Sequence, residues 1–472
     1  MKLKNLFFSL IFIFSVFNAD AQHQEIGEKP GIWKEKQSLD SNSLLYAFKK
    51  ASINGHLRYF FMATDNAPGL TDYYANAVGG GLRFETAKFH GFQFGVSGFF
   101  TYNIGSSNLA LPDPKTNQSN RYEIGLFDIT DAKNKYNIER LEELFLKYAY
   151  KNNFIKLGKQ LLNTPFINLQ DGRMHPTSTS GLWTEINQIK NTKIEIGWLN
   201  QISPRGTVKW YSMEQSIGVY STGLNIDGTK SNYAGNTKTK GVALVGITHN
   251  PIKELAVKFW NVYTENVVNS MLLQTDLKKD LKDGGNIIAG AQMIAQTRVG
   301  NGGNADFSKR YFQHNGSLTF GANIGWEEAT WKTSINFNRI TAKGRYLMPR
   351  EWGRDPFYTF LSRERNEGLA DANAYVIKVE YSIPKTTFKT AMGFGFFDLP
   401  RVDNFKNNKY GMTGYNQLNI DLRYDFKGVF SGLSSQLLYV YKSKSGNEII
   451  LDKNTINKVN VSNWNLVLNY NF

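Results

Sequence analysis

The chain has 472 residues, of which 41% are hydrophobic, 20% are charged and 14% are aromatic, and it contains no cysteine. Its 55 basic and 40 acidic residues give a formal net charge of +15 at pH 7. The mean hydropathy of −0.40 excludes a protein that crosses a membrane with several helices, because each such helix needs roughly 20 consecutive apolar residues. Without cysteine, the chain has neither a disulfide framework nor a thiolate metal site.

Residues 1–21 have the three parts of a secretory signal peptide. Lys2 and Lys4 begin the segment, residues 6–17 are mostly apolar, and Ala19 and Ala21 occupy the two positions that a signal peptidase reads. A membrane anchor is the alternative, but the apolar run is too short to span a bilayer. We therefore predict cleavage before Gln22. Export of a chain without cysteine fits the envelope of a Gram-negative cell.

Residues 22–54 are polar and mixed, and they form a predicted N-terminal periplasmic extension. Within it, Leu44, Leu45, Phe48 and Ala51 recur at helical spacing, which predicts one short helix. From residue 55 to residue 472 the hydrophobic period becomes two. This change predicts a single all-β domain over 55–472.

The clearest alternation covers residues 417–426. Leu418, Ile420 and Leu422 are apolar, whereas Asn419 and Asp421 between them are polar. Similar segments of about ten residues recur along the chain, which matches the roughly 9–11 residues of a tilted strand that crosses a bilayer. A soluble β-sandwich also alternates, but its strands usually have about 5–6 residues. We therefore predict a transmembrane antiparallel β-barrel in the outer membrane.

The connections between these segments set the strand count. Short turns belong on the periplasmic side and long loops outside, and barrels of this type have an even number of strands. Residues 217–224 look like a strand, yet counting them in the wall gives an odd total. We therefore assign them to an outer loop, which leaves about eighteen strands, with sixteen as the alternative. A barrel of this size is wide enough for an aqueous channel.

The C-terminal segment 464–472 also alternates, with Trp464, Leu466, Leu468, Tyr470 and Phe472 on one face. A closing strand that ends in Phe is similar to those of outer-membrane barrels, whose last aromatic residue helps the barrel assembly machinery to recognise them. This machinery and outer-membrane lipid are thus expected partners.

Two parts of the chain resemble a known family. The first comprises residues 158–165, GKQLLNTP, and 171–176, DGRMHP; the second comprises 351–358, EWGRDPFY, and 362–368, SRERNEG. These segments are similar to those of the OprD-like outer-membrane porins, also called outer-membrane carboxylate channels. The resemblance implies an eighteen-stranded barrel, outer loops folded inward to narrow the pore, and a ladder of basic residues that guides carboxylates through the lumen.

The second motif and the residues just before it supply most of the candidate ladder. A guanidinium group stays charged and can hold a carboxylate with two parallel hydrogen bonds. Strand alternation adds further inward-facing bases, since a charge facing lipid at midplane costs about 2–4 kcal/mol. The alternatives are salt bridges within loops and contacts with lipid headgroups or solvent. The candidate ladder residues are Arg345, Arg350, Arg354, Arg363, Arg365, Arg58, Arg83, Lys378 and Arg423.

Residues 160–181 follow a predicted strand and are rich in polar and turn residues, so we predict that they form a constriction loop. Asp171 and Arg173 within it offer opposite charges to a zwitterion or to a hydroxylated carboxylate. The alternative is that Asp171 only braces Arg173 inside the loop.

The sequence thus predicts a passive channel for small anionic or zwitterionic solutes, namely carboxylates or amino acids, with no enzymatic activity, cofactor or metal. An outer-membrane hydrolase is one alternative, for which His175, Asp171 and Ser178 are the sole rim candidates. A structural or adhesion barrel with a plugged lumen is the second. The basic residues are spread along the chain, which argues against nucleic acid as a partner. The sequence leaves monomer and homotrimer open.

Overall fold

The structure is a computed structural model that describes residues 40–170, 172–282 and 284–472. The predicted signal peptide, most of the N-terminal extension and Asp171 lie outside the described residues. Within them, 21 strands form one sheet, and three of these strands have only two residues each. The other eighteen form the wall of a barrel, which confirms the predicted fold class and strand count.

The wall strands follow one another around the barrel in chain order, each antiparallel to the next. They are β1 (Ser52–Asp65), β2 (Tyr73–Glu85), β3 (Phe92–Ser106), β4 (Ile138–Tyr150), β5 (Asn153–Gln160), β6 (Ser178–Ile186), β7 (Thr192–Ser203), β8 (Val242–Ile252), β9 (Leu255–Thr264), β10 (Val268–Asp280), β11 (Asn286–Arg298), β12 (Gly316–Glu327), β13 (Trp331–Ile340), β14 (Ala372–Ser382), β15 (Phe388–Asp398), β16 (Tyr415–Asp425), β17 (Leu433–Lys444) and β18 (Val461–Asn471).

The last strand closes the barrel on the first. β18 pairs with β1 over ten residue pairs, from His56 with Asn471 to Asp65 with Ser462. Closure leaves no strand edge, so every wall strand has a hydrogen-bonded neighbour on both sides. Only such a closed sheet satisfies the backbone of strands in lipid.

Side-chain exposure is inverted relative to a soluble protein. In β13, Ile335 is 60% exposed, whereas its neighbour Asn336 is 1% exposed. β12 follows the same pattern, since Phe320 and Ile324 are exposed and Thr319 is buried. The apolar residues therefore face the lipid and the polar residues face the lumen, as the alternation predicts.

Long connections gather at one end of the barrel. The outer loops include 107–137, 161–177, 204–241, 341–371, 399–414 and 445–460, whereas turns such as 151–152 and 253–254 close the other end. The stretch 217–224 lies in loop 204–241, as the even strand count predicts. Two short helices, α2 (Met213–Ser216) and α3 (Asp452–Thr455), belong to outer loops.

The described part of the N-terminal extension contains helix α1 (Leu44–Lys49), where the apolar spacing predicts a helix. Ser43 precedes it and its Oγ accepts a hydrogen bond from Tyr46 N at 3.3 Å, which caps the first turn. The first wall strand begins at Ser52, three residues before the boundary expected from the sequence. Among the described residues, no helix combines the length and apolarity needed to cross a membrane.

The inverted exposure leads to a stability test. Replacing the lipid-facing Ile335 with Arg should lower the free energy of unfolding by about 2–4 kcal/mol, because its position is near the middle of β13 and hence of the bilayer. Urea unfolding in phospholipid vesicles measures this difference. Ile449→Arg, at a 95% exposed loop position, is the matched control and should change the stability little. Equal effects of the two variants would contradict the assigned lipid face.

Candidate functional site

Loop 341–371 is folded into the barrel and is held there by polar side chains of the wall. Gln292 Nε2 donates to Pro356 O at 2.8 Å, and Gln417 Nε2 donates to Ser362 O at 2.7 Å. Lys378 Nζ reaches the carbonyl of another loop residue, Tyr358, at 2.9 Å. Inward-facing amides and one lysine of the strands thus satisfy the backbone of a loop that fills part of the lumen.

Loop 161–177 also lies against the inner wall. Arg58 Nη1 donates to the carbonyl of Arg173 at 2.6 Å, and Arg140 donates to the carbonyl of Pro176. Both arginines belong to wall strands, β1 and β4. They hold the loop at a fixed height in the lumen, which suits the constriction predicted for this segment.

The two inward loops are joined directly through Asn168. Its Oδ1 accepts a hydrogen bond from Arg354 N at 3.0 Å, and its Nδ2 donates to Arg354 O at 3.0 Å. Asn168 N also donates to Trp352 O at 3.1 Å. We call this three-bond contact the Asn168 joint. It places Asn168, which lies between segments 158–165 and 171–176, beside two residues of segment 351–358.

A cavity of about 730 Å³ lies among the outer loops next to this joint. Its walls come from loops 107–137, 161–177, 204–241, 341–371, 399–414 and 445–460. Three of the lining residues described are acidic, namely Asp355, Glu364 and Glu367. Eleven are basic: Arg121, Arg173, Arg205, Lys230, Arg350, Arg354, Arg363, Arg365, Lys409, Lys453 and Lys458. Like charges gathered in a concave site concentrate a field of one sign, which here attracts anions.

Several of these guanidinium groups lie over aromatic rings. Arg365 lies 4.2 Å from the ring centroid of Tyr410, and Arg354 lies 5.1 Å from that of Phe360. A cation over the face of an aromatic ring is attracted by the ring quadrupole, so these contacts hold the two guanidinium groups at the cavity.

Arg363 is positioned by the wall. Its Nε donates to Asn463 Oδ1 at 3.0 Å, and its Nη2 donates to Asn465 Oδ1 at 2.6 Å. The residue adopts a left-handed backbone conformation with φ of 71°, which costs a non-glycine residue about 1 kcal/mol or more. The two asparagines of β18 thus hold a strained arginine at the edge of the cavity.

The acidic residues of the cavity differ in their environment. Burial raises the pKa of Asp355 to about 7, and the nearby charge of Glu367 adds to this shift. Burial also acts on Glu367, but the charges of Lys409 and Arg350 outweigh it and hold the pKa of Glu367 below its ordinary value. Lys409 Nζ lies 3.1 Å from Glu367 Oε1. Glu367 therefore stays ionised and compensates part of the charge of Lys409 and Arg350, which leaves the other basic residues of the cavity in excess.

Lys458 is the basic counterpart of Asp355. Burial lowers its pKa to about 7, and the positive charges of Arg121 and Arg365 lower it further. Its Nζ donates to Tyr410 O at 3.1 Å. Two groups of the cavity thus titrate near neutral pH.

The described residues among the predicted site residues divide into three groups. Arg350, Arg354, Arg363, Arg365 and Arg173 all line the cavity. Arg345 instead joins three outer loops, since it donates to the carbonyls of Leu224, Asn225, Phe405 and Lys406. Arg58, Arg83, Lys378 and Arg423 face the lumen from the wall, below the cavity.

Ion pairs accompany the basic residues of the periplasmic half of the lumen. Arg83 lies 3.0 Å from Glu143, and Lys258 lies 3.4 Å from Asp276. Arg423 contacts Asp421 at 2.9 Å. Lys156 and Lys193 also have acidic partners, Glu143 at 3.6 Å and Glu195 at 2.8 Å. The charge of these bases is compensated locally, unlike that of the outer cavity.

Sequence reasoning missed six of the basic residues that line the cavity: Arg121, Arg205, Lys230, Lys409, Lys453 and Lys458. They lie in four different outer loops, where no periodicity indicates the direction of a side chain. Their shared signal is the recurrence of Lys and Arg in the long outer segments.

The rim candidates of the hydrolase alternative do not form a catalytic pair among the described residues. His175 is buried and its ring packs edge-on against that of Phe99, with centroids 5.7 Å apart. Burial and the charge of Arg140 hold the pKa of His175 well below its ordinary value. In the described part of the chain, His175 makes no hydrogen bond to Ser178, and no three His, Asp or Glu residues gather as a potential metal site.

A closed eighteen-stranded barrel with loops folded into its lumen and a charged cavity among them defines the class of channel-forming outer-membrane proteins. Residues 48–337 match the family model described as outer membrane porin, OprD family. The chain therefore belongs to the OprD family of outer-membrane porins, as the motif resemblance predicts. A comparison with curated proteins returns no match.

Solved structures share this fold. OccD3 (OpdP) of Pseudomonas aeruginosa has a TM-score of 0.67 and 14% identity, over 93% of this chain and 95% of that one. OpdK of the same organism, solved with vanillate, has a TM-score of 0.69 and 14% identity, over 90% and 99%. OccAB4 of Acinetobacter baumannii has a TM-score of 0.68 and 13% identity, over 90% and 98%.

Asp355 and Lys458 predict a pH dependence of the cavity charge. Asp355 has a raised pKa and is neutral below about pH 7, whereas Lys458 has a lowered pKa and is charged below about pH 7. Both changes add positive charge as the pH falls. The permeability ratio of chloride to potassium should therefore rise as the pH is lowered from 8 to 6. Reversal potentials in planar bilayers measure this ratio.

A double variant tests the origin of this effect. Asp355→Asn with Lys458→Met should reduce the change between pH 8 and pH 6. The change that remains is assigned to Glu364, another carboxyl of the cavity, because burial raises its pKa well above the ordinary value. His314 is not an alternative source, because burial and the charge of Arg345 lower its pKa to about 4. A permeability ratio that falls on acidification would contradict the assignment.

Proposed function

We propose that this porin conducts small anionic solutes, carboxylates foremost, by passive diffusion, and that the basic outer cavity selects them. The observation that carries the proposal is the excess of basic over acidic side chains among the described residues of the cavity. The structure of the related barrel OpdK was solved with vanillate, which carries a carboxylate, and this ligand agrees with the proposal.

In this mechanism, the outer cavity raises the local concentration of anions. A carboxylate forms charge-assisted hydrogen bonds with guanidinium groups of the cavity, of which those of Arg365 and Arg354 lie over aromatic rings. Several moderate contacts in succession allow the solute to move on, whereas one deep site would retain it. Arg173 adds a further basic contact in the predicted constriction loop. Asp171, two residues before it in the sequence, would bind the ammonium group of an amino acid.

The lower lumen then releases the solute. The ion pairs of Arg83, Lys258 and Arg423 leave no strong uncompensated cation at these positions. An anion that has passed the constriction therefore meets a weaker attraction below than above. Diffusion down the concentration gradient into the periplasm follows.

Two further parts of the proposal concern assembly. We propose that β18 and Phe472, the residue after it, form the segment that the barrel assembly machinery recognises during insertion. We also propose that the porin has no enzymatic activity. It is a monomer or a homotrimer in this proposal, and outer-membrane lipid surrounds the barrel in either state.

Ion selectivity tests the field of the cavity. Purified protein in planar bilayers should form pores that favour anions at neutral pH and low salt, where the field of exposed charges is screened least. A reversal potential that indicates cation preference would overturn the proposal. Correctly inserted protein without conductance would favour a plugged structural barrel, and ester or peptide cleavage without conductance would favour a hydrolase.

Solute uptake tests the arginines. Arg365→Ala, alone and with Arg363→Ala, should slow carboxylate uptake into proteoliposomes more than sugar uptake, because a charge-assisted hydrogen bond contributes about 1.5–3 kcal/mol. The matched control is Arg401→Ala, since this exposed arginine of loop 399–414 pairs with Asp403 away from the cavity. Equal loss of both solutes would show that the two arginines only support the structure.

A further inference from the structure

Helix α1 carries an unusual amount of exposed apolar surface for a segment at the periplasmic end of the barrel. Leu45 is 65% exposed and Phe48 is 50% exposed, and Leu44 and Tyr46 are exposed as well. Of the six helix residues, only Ala47 is buried. Such a surface requires a partner of matching chemistry.

The helix has a fixed position on the barrel rim. Ala87 N, in the turn between β2 and β3, donates to Ala47 O at 3.0 Å. The two-residue strand Asp40–Ser41, just before the helix, pairs in parallel with Lys88–Phe89 of the same turn. Contacts within α1 and just before it therefore attach the helix to one periplasmic turn.

The exposed surface of α1 is continuous with the lipid-facing surface of the barrel. The ring of Phe48 lies 6.1 Å from that of Phe84, which points outward from β2. Phe84 pairs across the strands with Ile53 of β1, and Ile53 is itself exposed on the outer face. The apolar band thus runs without interruption from the wall strands onto the helix.

Aromatic residues show the height of the helix relative to the membrane. Phe92, which follows the turn that holds α1, and Tyr148 of β4 are exposed, and their ring centroids lie 4.8 Å apart. Aromatic side chains form girdles at the two membrane–water interfaces of such barrels. The helix therefore lies at the level of the periplasmic headgroups.

The charges around α1 are those expected for contact with anionic lipid. Lys49 and Lys50 end the helix and are exposed, and Lys88 lies in the adjacent turn. The neighbouring acids have partners within the protein, since Asp40 Oδ1 accepts from Gly91 N at 3.2 Å and Glu85 contacts Arg83 at 3.1 Å. Basic side chains beside an apolar surface are typical of segments that bind anionic membranes.

We propose that α1 is an interfacial anchor that inserts its apolar side chains into the periplasmic leaflet of the outer membrane and binds anionic phospholipid headgroups through Lys49, Lys50 and Lys88. This anchor is independent of solute transport, because it lies outside the barrel and shares no residue with the cavity. It lies beside the periplasmic end of β2, where Phe48 approaches Phe84.

The absence of cysteine from the chain allows the anchor to be tested with single labels. A nitroxide at Leu45→Cys, in the full-length porin reconstituted into phosphatidylethanolamine vesicles with one quarter phosphatidylglycerol, should be more accessible to oxygen than to a water-soluble nickel chelate. Leu82→Cys on the lipid face of β2 is the lipid reference. Lys282→Cys, in the turn between β10 and β11, is the aqueous reference and should show the reverse order.

The result at Leu45→Cys decides the proposal. Accessibility like that of Lys282→Cys would show a helix in water, and protection from both reagents would show that residues 22–39 or another protein covers it. Either result would overturn the anchor. Retained pore conductance shows in each case that the labelled barrel is folded.

A second measurement tests the lipid headgroup. With the label at Leu45→Cys, replacing phosphatidylglycerol by phosphatidylcholine should increase accessibility to nickel, and Lys49→Glu with Lys50→Glu should abolish this lipid dependence. Lys279→Glu with Lys282→Glu, in and beside the turn between β10 and β11, is the matched control and should preserve it. A dependence that survives the reversal at Lys49 and Lys50 would overturn the role of the anionic headgroups.

Discussion

Backbone N–H and C=O groups that are removed from bulk water need hydrogen-bond partners within the protein. This requirement determines both the barrel wall and the loops in the lumen. In the wall, closure of β18 on β1 gives every wall strand two neighbours, so that no strand edge faces lipid. In the lumen, the same requirement applies to loops that have left the outer solvent. Gln292, Gln417 and Lys378 of the wall donate to carbonyls of loop 341–371 and so hold the loop inside the barrel. The inward polar side chains thus give the pore its shape.

The loops in turn decide where charge accumulates. The strands place bases such as Arg83 and Lys258 next to acids on neighbouring strands, which compensates their charge. The outer loops instead bring cations from distant parts of the sequence around one cavity, with Glu367 already committed to Lys409. The result is a barrel whose outer end is strongly basic and whose periplasmic lumen is more balanced. This difference supports the proposal that an anion entering from outside is attracted first at the outer cavity and less strongly below it.

The sequence predicts the wall better than the site, and particular residues show why. The period of two in 417–426 assigns Asn419 and Asp421 to the lumen because a strand alternates strictly. Strand parity also assigned 217–224 to a loop in spite of its strand-like pattern. No such rule applies to loop residues. Arg345 and Arg365 belong to the same basic segment, yet Arg345 joins three loops through carbonyls whereas Arg365 faces the cavity. Contacts between loops decide this difference, and they depend on residues such as Leu224 and Phe405 that are far away in the chain.

The Asn168 joint has a mechanical consequence for the aperture. One amide side chain bonds both the N–H and the carbonyl of Arg354, so the joint couples the positions of the two inward loops. Widening the passage by displacing either loop alone would break these hydrogen bonds and leave the buried amide of Asn168 without these partners. Side-chain substitutions on the two joined loops are therefore expected to change the pore diameter while the loops keep their positions. Because the loops stay joined, a substitution that changes the charge of a lining side chain can alter selectivity without altering the pore diameter.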